Sequence, residues 1–151
     1  TMETCIGQGK TMVSPLHMAM MAGAICNDGV LMTPYLIDHT ENHKGITVKT
    51  TSPKEYGQVI SKKESQFLEE YMNAVVTSGT GSKLNGQSYS AYGKTGTAQV
   101  SDSSDQTNAW FVGYARKNGK EIAIAVIVEN SGAGSTYAVP IAKSVFDTYF
   151  N

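Results

Sequence analysis

One short segment, Gly93-Lys94-Thr95-Gly96-Thr97-Ala98, gathers the residue types that bind a carboxylate. Lys94 supplies a cation, and the hydroxyls of Thr95 and Thr97 can donate hydrogen bonds. Gly96 has no side chain, so the main chain of a ligand can approach closely. On an edge strand, free N–H and C=O groups would also pair with an extended peptide. The pattern favours a peptide substrate that ends in a carboxylate, although a Lys-Thr-Gly triplet alone is a weak signal.

Two helices are predicted ahead of this segment. Ser14-Pro15 supplies a favoured N-cap and a favoured first helical residue, and the helix that follows runs to Asn27. It is apolar on nearly every side, so we expect it to be buried. Ser61 and Glu64 form a capping box at the start of a second, amphipathic helix that ends near Ser78.

The stretch between these helices is predicted to lie at the surface. Asn27-Asp28-Gly29 ends the first helix with residues that can adopt a left-handed cap. Residues 30–37 are expected to be extended. Residues 38–60 are polar and mixed, and we expect a surface excursion with one or two short strands.

Three strands are predicted in the second half, at about residues 91–100, 109–116 and 121–129. Asn118-Gly119 is predicted to form a type I′ turn between the last two strands. Such a turn needs positive φ at both central positions, and Asn and Gly adopt it readily. The polar segment 101–108 is expected to be a loop beside the first strand.

A final helix is predicted over about residues 137–150, with Pro140 in its first turn. Its inner face is assigned to apolar residues at helical spacing: Ala138, Ile141, Ala142, Val145, Phe146 and Tyr149. Trp110 is expected to pack within the sheet. The order of helix, helix, three-strand meander and helix predicts an α+β fold, an antiparallel sheet with helices packed on its faces.

Composition excludes several classes of protein. The chain has 151 residues, 40% of them hydrophobic and 17% charged, with a net charge of -1. One globular domain fits these values, whereas nucleic-acid binding and attachment to an anionic membrane do not. The longest apolar stretch, about residues 18–26, is too short to span a bilayer.

The potential metal ligands do not form a recognisable site. Cys5 and Cys26 lack metal spacing, so we expect two separate thiols, with a disulfide as the alternative. His17, His39 and His43 match no zinc pattern, and His17 is placed on the buried helix. No metal and no cofactor is expected.

Two further carboxylates, Asp102 and Asp105, lie in the polar segment after the Lys-Thr-Gly strand. They are expected to be solvated loop residues without a catalytic role.

Taken together, these motifs resemble the penicillin-binding proteins, the D,D-transpeptidases that cross-link peptidoglycan. The resemblance covers nearly the whole chain, in the family's order. Besides the Lys-Thr-Gly strand, it is carried by Gly7-Gln8-Gly9, Ser14-Pro15-Leu16-His17-Met18-Ala19, Asn27-Asp28-Gly29-Val30, Gly79-Thr80-Gly81 and Ala109-Trp110-Phe111-Val112-Gly113-Tyr114. Ser14, His17 and Asp28 depart from the usual family residues, and none of them lies on the Lys-Thr-Gly strand.

The resemblance implies a role for each residue of that strand. Lys94 would supply charge to the substrate carboxylate and to the proton-transfer network. Thr95 and Thr97 would donate their hydroxyl hydrogen bonds to that carboxylate. The N–H of Thr97 would be one of two oxyanion-hole donors. Gly96 would keep the strand open to substrate, and residues 101–108 would border the cleft.

Two family motifs are not found. No Ser has a Lys three residues later, and there is no Ser-x-Asn. Thr51…Lys54 and Thr80…Lys83 have the spacing but begin with Thr. We therefore expect residues 1–151 to be one partial domain, the C-terminal half of a transpeptidase domain without its N-terminal half. Without an activated nucleophile, this chain should not form an acyl-enzyme.

The implied parent is a serine-type D,D-transpeptidase that binds D-Ala-D-Ala stem peptides of peptidoglycan and β-lactam antibiotics. It would be extracytoplasmic and anchored to the bacterial membrane by an absent N-terminal segment. The alternatives are a serine β-lactamase and a non-catalytic β-lactam sensor or scaffold. The family sheet has five strands, so residues 121–129 should leave one edge unpaired and favour self-association.

Overall fold

The computed structural model describes residues 11–100 and 106–151. Within these residues, the helices are α1 (Pro15–Cys26), α2 (Lys62–Thr77) and α3 (Gly134–Phe150). The strands are β1 (Val30–Met32), β2 (His39–Glu41), β3 (Thr47–Thr50), β4 (Glu55–Gln58), β5 (Ser90–Gln99), β6 (Thr107–Lys117) and β7 (Lys120–Val128). A 3₁₀ turn, Ser82–Leu84, precedes β5. The order of elements confirms the predicted α+β fold, and none of the helices described is long and apolar enough to cross a membrane.

Helix α1 begins and ends as its sequence predicts. The Ser14 hydroxyl accepts a hydrogen bond from the N–H of His17 (3.2 Å). Asp28 and Gly29 leave the helix at positive φ, 52° and 88°, and the Gly29 N–H donates to the carbonyl of Ala24. These contacts satisfy polar groups that a helix end otherwise leaves without partners.

The burial predicted for α1 is wrong for one side of the helix. Ala22 and Ala24 are buried, but Leu16 and Met21 are exposed and so is His17. A helix that is apolar on all sides favours burial. Its composition does not say, however, how many of its sides the neighbouring elements cover.

Helix α2 begins with the predicted capping box. Ser61 Oγ accepts from the N–H of Glu64 at 3.3 Å, and Glu64 Oε2 accepts from the N–H of Ser61 at 2.8 Å. Two otherwise unpaired N–H groups are satisfied in this way.

The excursion at residues 38–60 contains more strand than predicted. Strands β2 and β3 form an antiparallel hairpin, and β4 pairs antiparallel with β1, placing Val30 opposite Gln58. The one or two predicted strands are therefore three. The partner of β4 lies more than twenty residues away, so local periodicity gives no sign of this pairing.

The main sheet is an antiparallel meander in the order β5-β6-β7. Asn118 and Gly119 have φ of 52° and 77°, as the predicted type I′ turn requires. Thr107 and Asn108 belong to β6, so the loop predicted over 101–108 is wrong at these two residues. Residues 101–105 lie outside the described residues.

The sheet separates two apolar clusters. On one face, Phe111 packs with Phe146 of α3, and on the other, Tyr114 packs with Ala22 of α1. Helix α2 contributes Met72 to the second cluster and Val76 to the first. Consecutive strand residues point to opposite faces, which is why one strand serves both clusters.

The inner face predicted for α3 is half right. Ala138, Ala142 and Phe146 are buried, and so are Val139 and Phe150, which the prediction omitted. The exposed fractions of Ile141, Val145 and Tyr149 are 45%, 39% and 46%, so these three assignments are wrong. Two apolar stripes run side by side on this helix, and its periodicity does not say which of them faces the sheet.

The start of α3 also differs from the prediction. The helix begins at Gly134, so Pro140 lies inside it and not in its first turn. A Cβ at Gly134 would lie 2.3 Å from the carbonyl oxygen of Trp110 and 2.6 Å from that of Gly96. The bare glycine lets the helix start directly against β5 and β6, and this contact brings Ser135 and Thr136 into the first turn.

Arg116, near the end of β6, connects three other elements. One guanidinium nitrogen lies 2.7 Å from Glu69 of α2, and another donates to the carbonyl of Cys26 at 2.6 Å. Nε lies 2.7 Å from Glu121 Oε1 of β7, an ion pair without the alignment of a hydrogen bond. The guanidinium also lies over the ring of Tyr114, 5.1 Å from its centroid.

Candidate active site

Strand β5 lies at an edge of the sheet. Among the residues described, it pairs with β6 alone, in an unbroken register that places Lys94 opposite Val112, Gly96 opposite Trp110 and Thr97 opposite Ala109. One side of β5 therefore has no neighbouring strand within residues 11–100 and 106–151, the arrangement that an added peptide strand needs.

The side chains of β5 differ in their exposure. Lys94 and Thr97 are exposed, whereas Thr95 is 9% exposed. Lys94 Nζ donates to the main-chain carbonyl of Thr95 at 2.7 Å, which holds the cation against its own strand. The hydroxyl of Thr95 is within hydrogen-bond distance of the hydroxyl of Thr80. The four predicted residues are contiguous on this strand, but Thr95 already has a hydroxyl partner.

Glycines allow close packing around β5. A Cβ at Gly96 would lie 3.2 Å from Trp110 Cβ, and one at Gly93 would overlap the ring of Phe111. Trp110 is partly buried beside Gly96, in agreement with its predicted place in the sheet. Gly134 of α3 contacts the main chain of Gly96, and sequence reasoning missed it because residues 133–136 resemble a loop.

The remaining candidates that the structure describes form no second site. Within residues 11–100 and 106–151, no group of His, Cys, Asp and Glu could hold a metal ion. His39 Nδ1 lies 2.9 Å from Asp38 Oδ2, and this hydrogen bond, with one to Glu41, raises the pKa of the exposed imidazole. Such a surface ion pair contributes little to stability.

Cys26 is a free thiol in the structure. Cys5, Asp102 and Asp105 lie outside the described residues, so the predictions for them stay predictions.

A match to a protein-family model identifies the family of the domain that contains β5. Residues 1–147 match the model of the penicillin binding protein transpeptidase domain. The chain belongs to the penicillin-binding protein transpeptidase family. The Lys-Thr-Gly strand thus lies in a domain of the family that the sequence motifs resemble.

Relatives with established names agree with this membership. The chain is 32% identical to peptidoglycan D,D-transpeptidase PbpA of Mycolicibacterium smegmatis over 148 residues, 92% of this chain and 30% of that protein. It is 32% identical to peptidoglycan D,D-transpeptidase MrdA of Acinetobacter baumannii over 160 residues, 97% of this chain and 24% of that protein. The chain therefore spans about a quarter to a third of these relatives.

Solved structures of the family have the same fold as this chain. Penicillin-binding protein A from M. tuberculosis, in an imipenem acyl-enzyme complex, superposes with a TM-score of 0.87 at 28% identity, over 99% of this chain and 33% of that one. The D,D-transpeptidase domain of a peptidoglycan glycosyltransferase from Eggerthella lenta gives 0.78 at 31% identity, over 91% and 33%. These matches confirm the family and the α+β fold, and the chain is a partial transpeptidase domain.

Proposed function

We propose that this chain forms the Lys-Thr-Gly side of the active site in a peptidoglycan D,D-transpeptidase. The observation that carries the proposal is the position of Lys94, Gly96 and Thr97 in order along β5, which is an edge strand among the strands that the structure describes. The names of the relatives support it, since PbpA of M. smegmatis and MrdA of A. baumannii are both peptidoglycan D,D-transpeptidases.

Each residue of the strand has a chemical task in this proposal. Lys94 and Thr97 are the catalytic residues. The Lys94 ammonium attracts the terminal carboxylate of the stem peptide and supports proton transfer. The hydroxyls of Thr95 and Thr97 donate to the same carboxylate. The N–H of Thr97 donates to the developing oxyanion, and Gly96 leaves room for the main chain of the substrate.

The reaction requires a serine from outside the printed sequence, in which no Ser-x-x-Lys occurs. In the complete domain, that serine attacks the carbonyl between the two D-Ala residues, releases the terminal D-Ala and forms an ester. An amine of a neighbouring stem peptide then takes the acyl group. A β-lactam acylates the same serine, as imipenem has acylated the M. tuberculosis neighbour. We place this domain outside the cytoplasmic membrane, anchored by an N-terminal segment.

The two alternatives are not favoured. The relatives named above are D,D-transpeptidases, not β-lactamases or sensors. A sensor could also be acylated by a β-lactam, so acylation alone does not distinguish it from a transpeptidase. Transfer of the acyl group to an amine acceptor would exclude a sensor.

The experiment compares two proteins. Residues 1–151 alone should give no penicillin G adduct by intact mass, because no activated nucleophile is present. A complete transpeptidase domain that carries these residues should give one adduct per molecule. A stoichiometric adduct on residues 1–151, or none on the complete domain, would contradict the proposal.

A matched pair of lysine variants tests the role of the strand within the complete domain. Lys94→Met should slow acylation by about 10- to 100-fold, because a charge-assisted hydrogen bond to the carboxylate is lost. Lys120→Met removes the same charge at the β6–β7 hairpin, five residues along β6 from the position opposite Lys94, and should leave the rate unchanged.

A further inference from the structure

The Thr95 hydroxyl is partly enclosed and lies against a second hydroxyl. Thr95 and Ser65 are the buried polar side chains of the described core. Thr95 Oγ1 is within hydrogen-bond distance of Thr80 Oγ1, and either oxygen can be the donor. Thr80 lies in the turn that follows α2, fifteen residues before Thr95 in sequence, so the contact is specific to the fold.

Two glycines fix the position of Thr80. The Gly81 N–H donates to the carbonyl of Val75 at 2.9 Å, which folds the turn back onto the last part of α2. Cβ atoms at Gly79 and Gly81 would lie 2.9 Å and 3.2 Å from that same carbonyl oxygen. Thr80 therefore carries the one side chain of a three-residue turn whose main chain lies directly against the helix.

The direction of the hydrogen bond between the two hydroxyls decides what Thr95 can do. A threonine hydroxyl has one hydrogen to donate and two lone pairs to accept. If Thr95 donates to Thr80, its hydrogen is unavailable to a substrate. If Thr80 donates to Thr95, the Thr95 hydrogen remains for a carboxylate, and accepting this bond polarises the Thr95 hydroxyl and strengthens its own donation.

We propose that Thr80 is a positioning residue that donates to Thr95 Oγ1 and thereby directs the Thr95 hydroxyl hydrogen toward the substrate carboxylate. The proposal rests on the proposed function, since it requires that Thr95 bind a carboxylate. Thr80 itself acts through Thr95 and needs no contact with the reacting atoms.

The test uses a complete transpeptidase domain that carries these residues, with penicillin G as the probe. Thr80→Val keeps the shape of the side chain and removes the hydroxyl, whereas Thr80→Ser keeps the hydroxyl. The rate constant for acylation at low penicillin concentration should fall about 3- to 10-fold in Thr80→Val, the loss expected for one neutral hydrogen bond. Thr80→Ser should recover most of it. Because Thr80 is exposed, both variants should melt within a few degrees of the wild type.

A double-mutant cycle with Thr95→Val separates this role from a merely structural one. Thr80→Val should have almost no further effect on acylation once the Thr95 hydroxyl is gone. An unchanged rate in Thr80→Val, a full additional loss in the double variant, or failure of Thr80→Ser to recover the rate would each overturn the inference while leaving the proposed function intact. A wild-type domain that penicillin does not acylate would overturn both.

Discussion

Cys26 lies in the last turn of α1, and its thiol is partly buried next to Arg116. Burial raises the pKa of this thiol to about 11, and the neighbouring guanidinium only partly opposes that effect. Because the thiolate is the reactive form, a thiol with a raised pKa is a poor nucleophile near neutral pH.

We therefore expect slow alkylation of Cys26. In a Cys5→Ser variant at pH 8, iodoacetamide should modify the folded protein about a hundredfold more slowly than an unstructured cysteine, since its pKa is about two units higher. The rate should rise with pH up to about 11. The same variant unfolded in guanidinium is the control and should react at the ordinary rate. Equal rates in the folded and unfolded protein would show that the thiol is not protected.

At the scale of single residues, the sequence predicted the candidate site where its chemistry requires residues that are adjacent in the chain. Lys94, Thr95, Gly96 and Thr97 follow one another, so their type and order predict the candidate site from the sequence alone. Thr80 had only a place in a family motif, because its contact with Thr95 depends on how α2 packs against β5.

At the scale of the elements, the question that the sequence left open is which face of α3 packs against the sheet. Phe146 is fully buried against Phe111 and Tyr89, whereas Tyr149 lies on the neighbouring apolar stripe and is half exposed. The two side chains are similar in size and three residues apart, so they form a matched pair.

Phe146→Ala should lower the free energy of unfolding by about 3–5 kcal/mol, the usual cost of emptying an aromatic site in a core. Tyr149→Ala should cost about 1 kcal/mol or less, because half of its side chain is already in water. Urea unfolding followed by circular dichroism measures both values. Comparable losses in the two variants would mean that α3 is rotated about its axis relative to the structure.

Local sequence signals predicted elements well where a specific residue fixes the geometry. The Ser61–Glu64 capping box and the Asn118-Gly119 turn are two examples, and both occur as expected. The signals were poorer where the outcome depends on a distant partner, as in the pairing of β1 with β4 and the first turn of α3 against Gly96.

At the scale of the whole molecule, β7 is the other edge strand of the three-stranded sheet formed by the described residues. In the part of the chain that the structure describes, β7 pairs with β6 alone over Lys120–Val128, a segment rich in Ile and Val. Long apolar edges of this kind tend to pair with other strands.

Residues 1–151 should therefore self-associate in a concentration-dependent manner, as the sequence already suggested. Ile127→Lys places a charge on this edge and should shift the equilibrium toward monomer, since edge lysines oppose strand pairing. Val48→Lys, on the exposed hairpin strand β3, is the control and should change nothing. Size-exclusion chromatography with light scattering reads out the mass. A monomer at every concentration would refute pairing through β7.

The Arg116 guanidinium has a mechanical consequence. Because it contacts the end of α1, the middle of α2 and β7 together, loosening any one of them takes a partner away from the partly buried guanidinium. This corner of the domain is thus expected to open as a single cooperative unit, without gradual fraying of each helix. Strand β5 would then present its residues to a peptide as part of this unit, held by a side chain that pairs opposite Ser90, several residues away from Lys94.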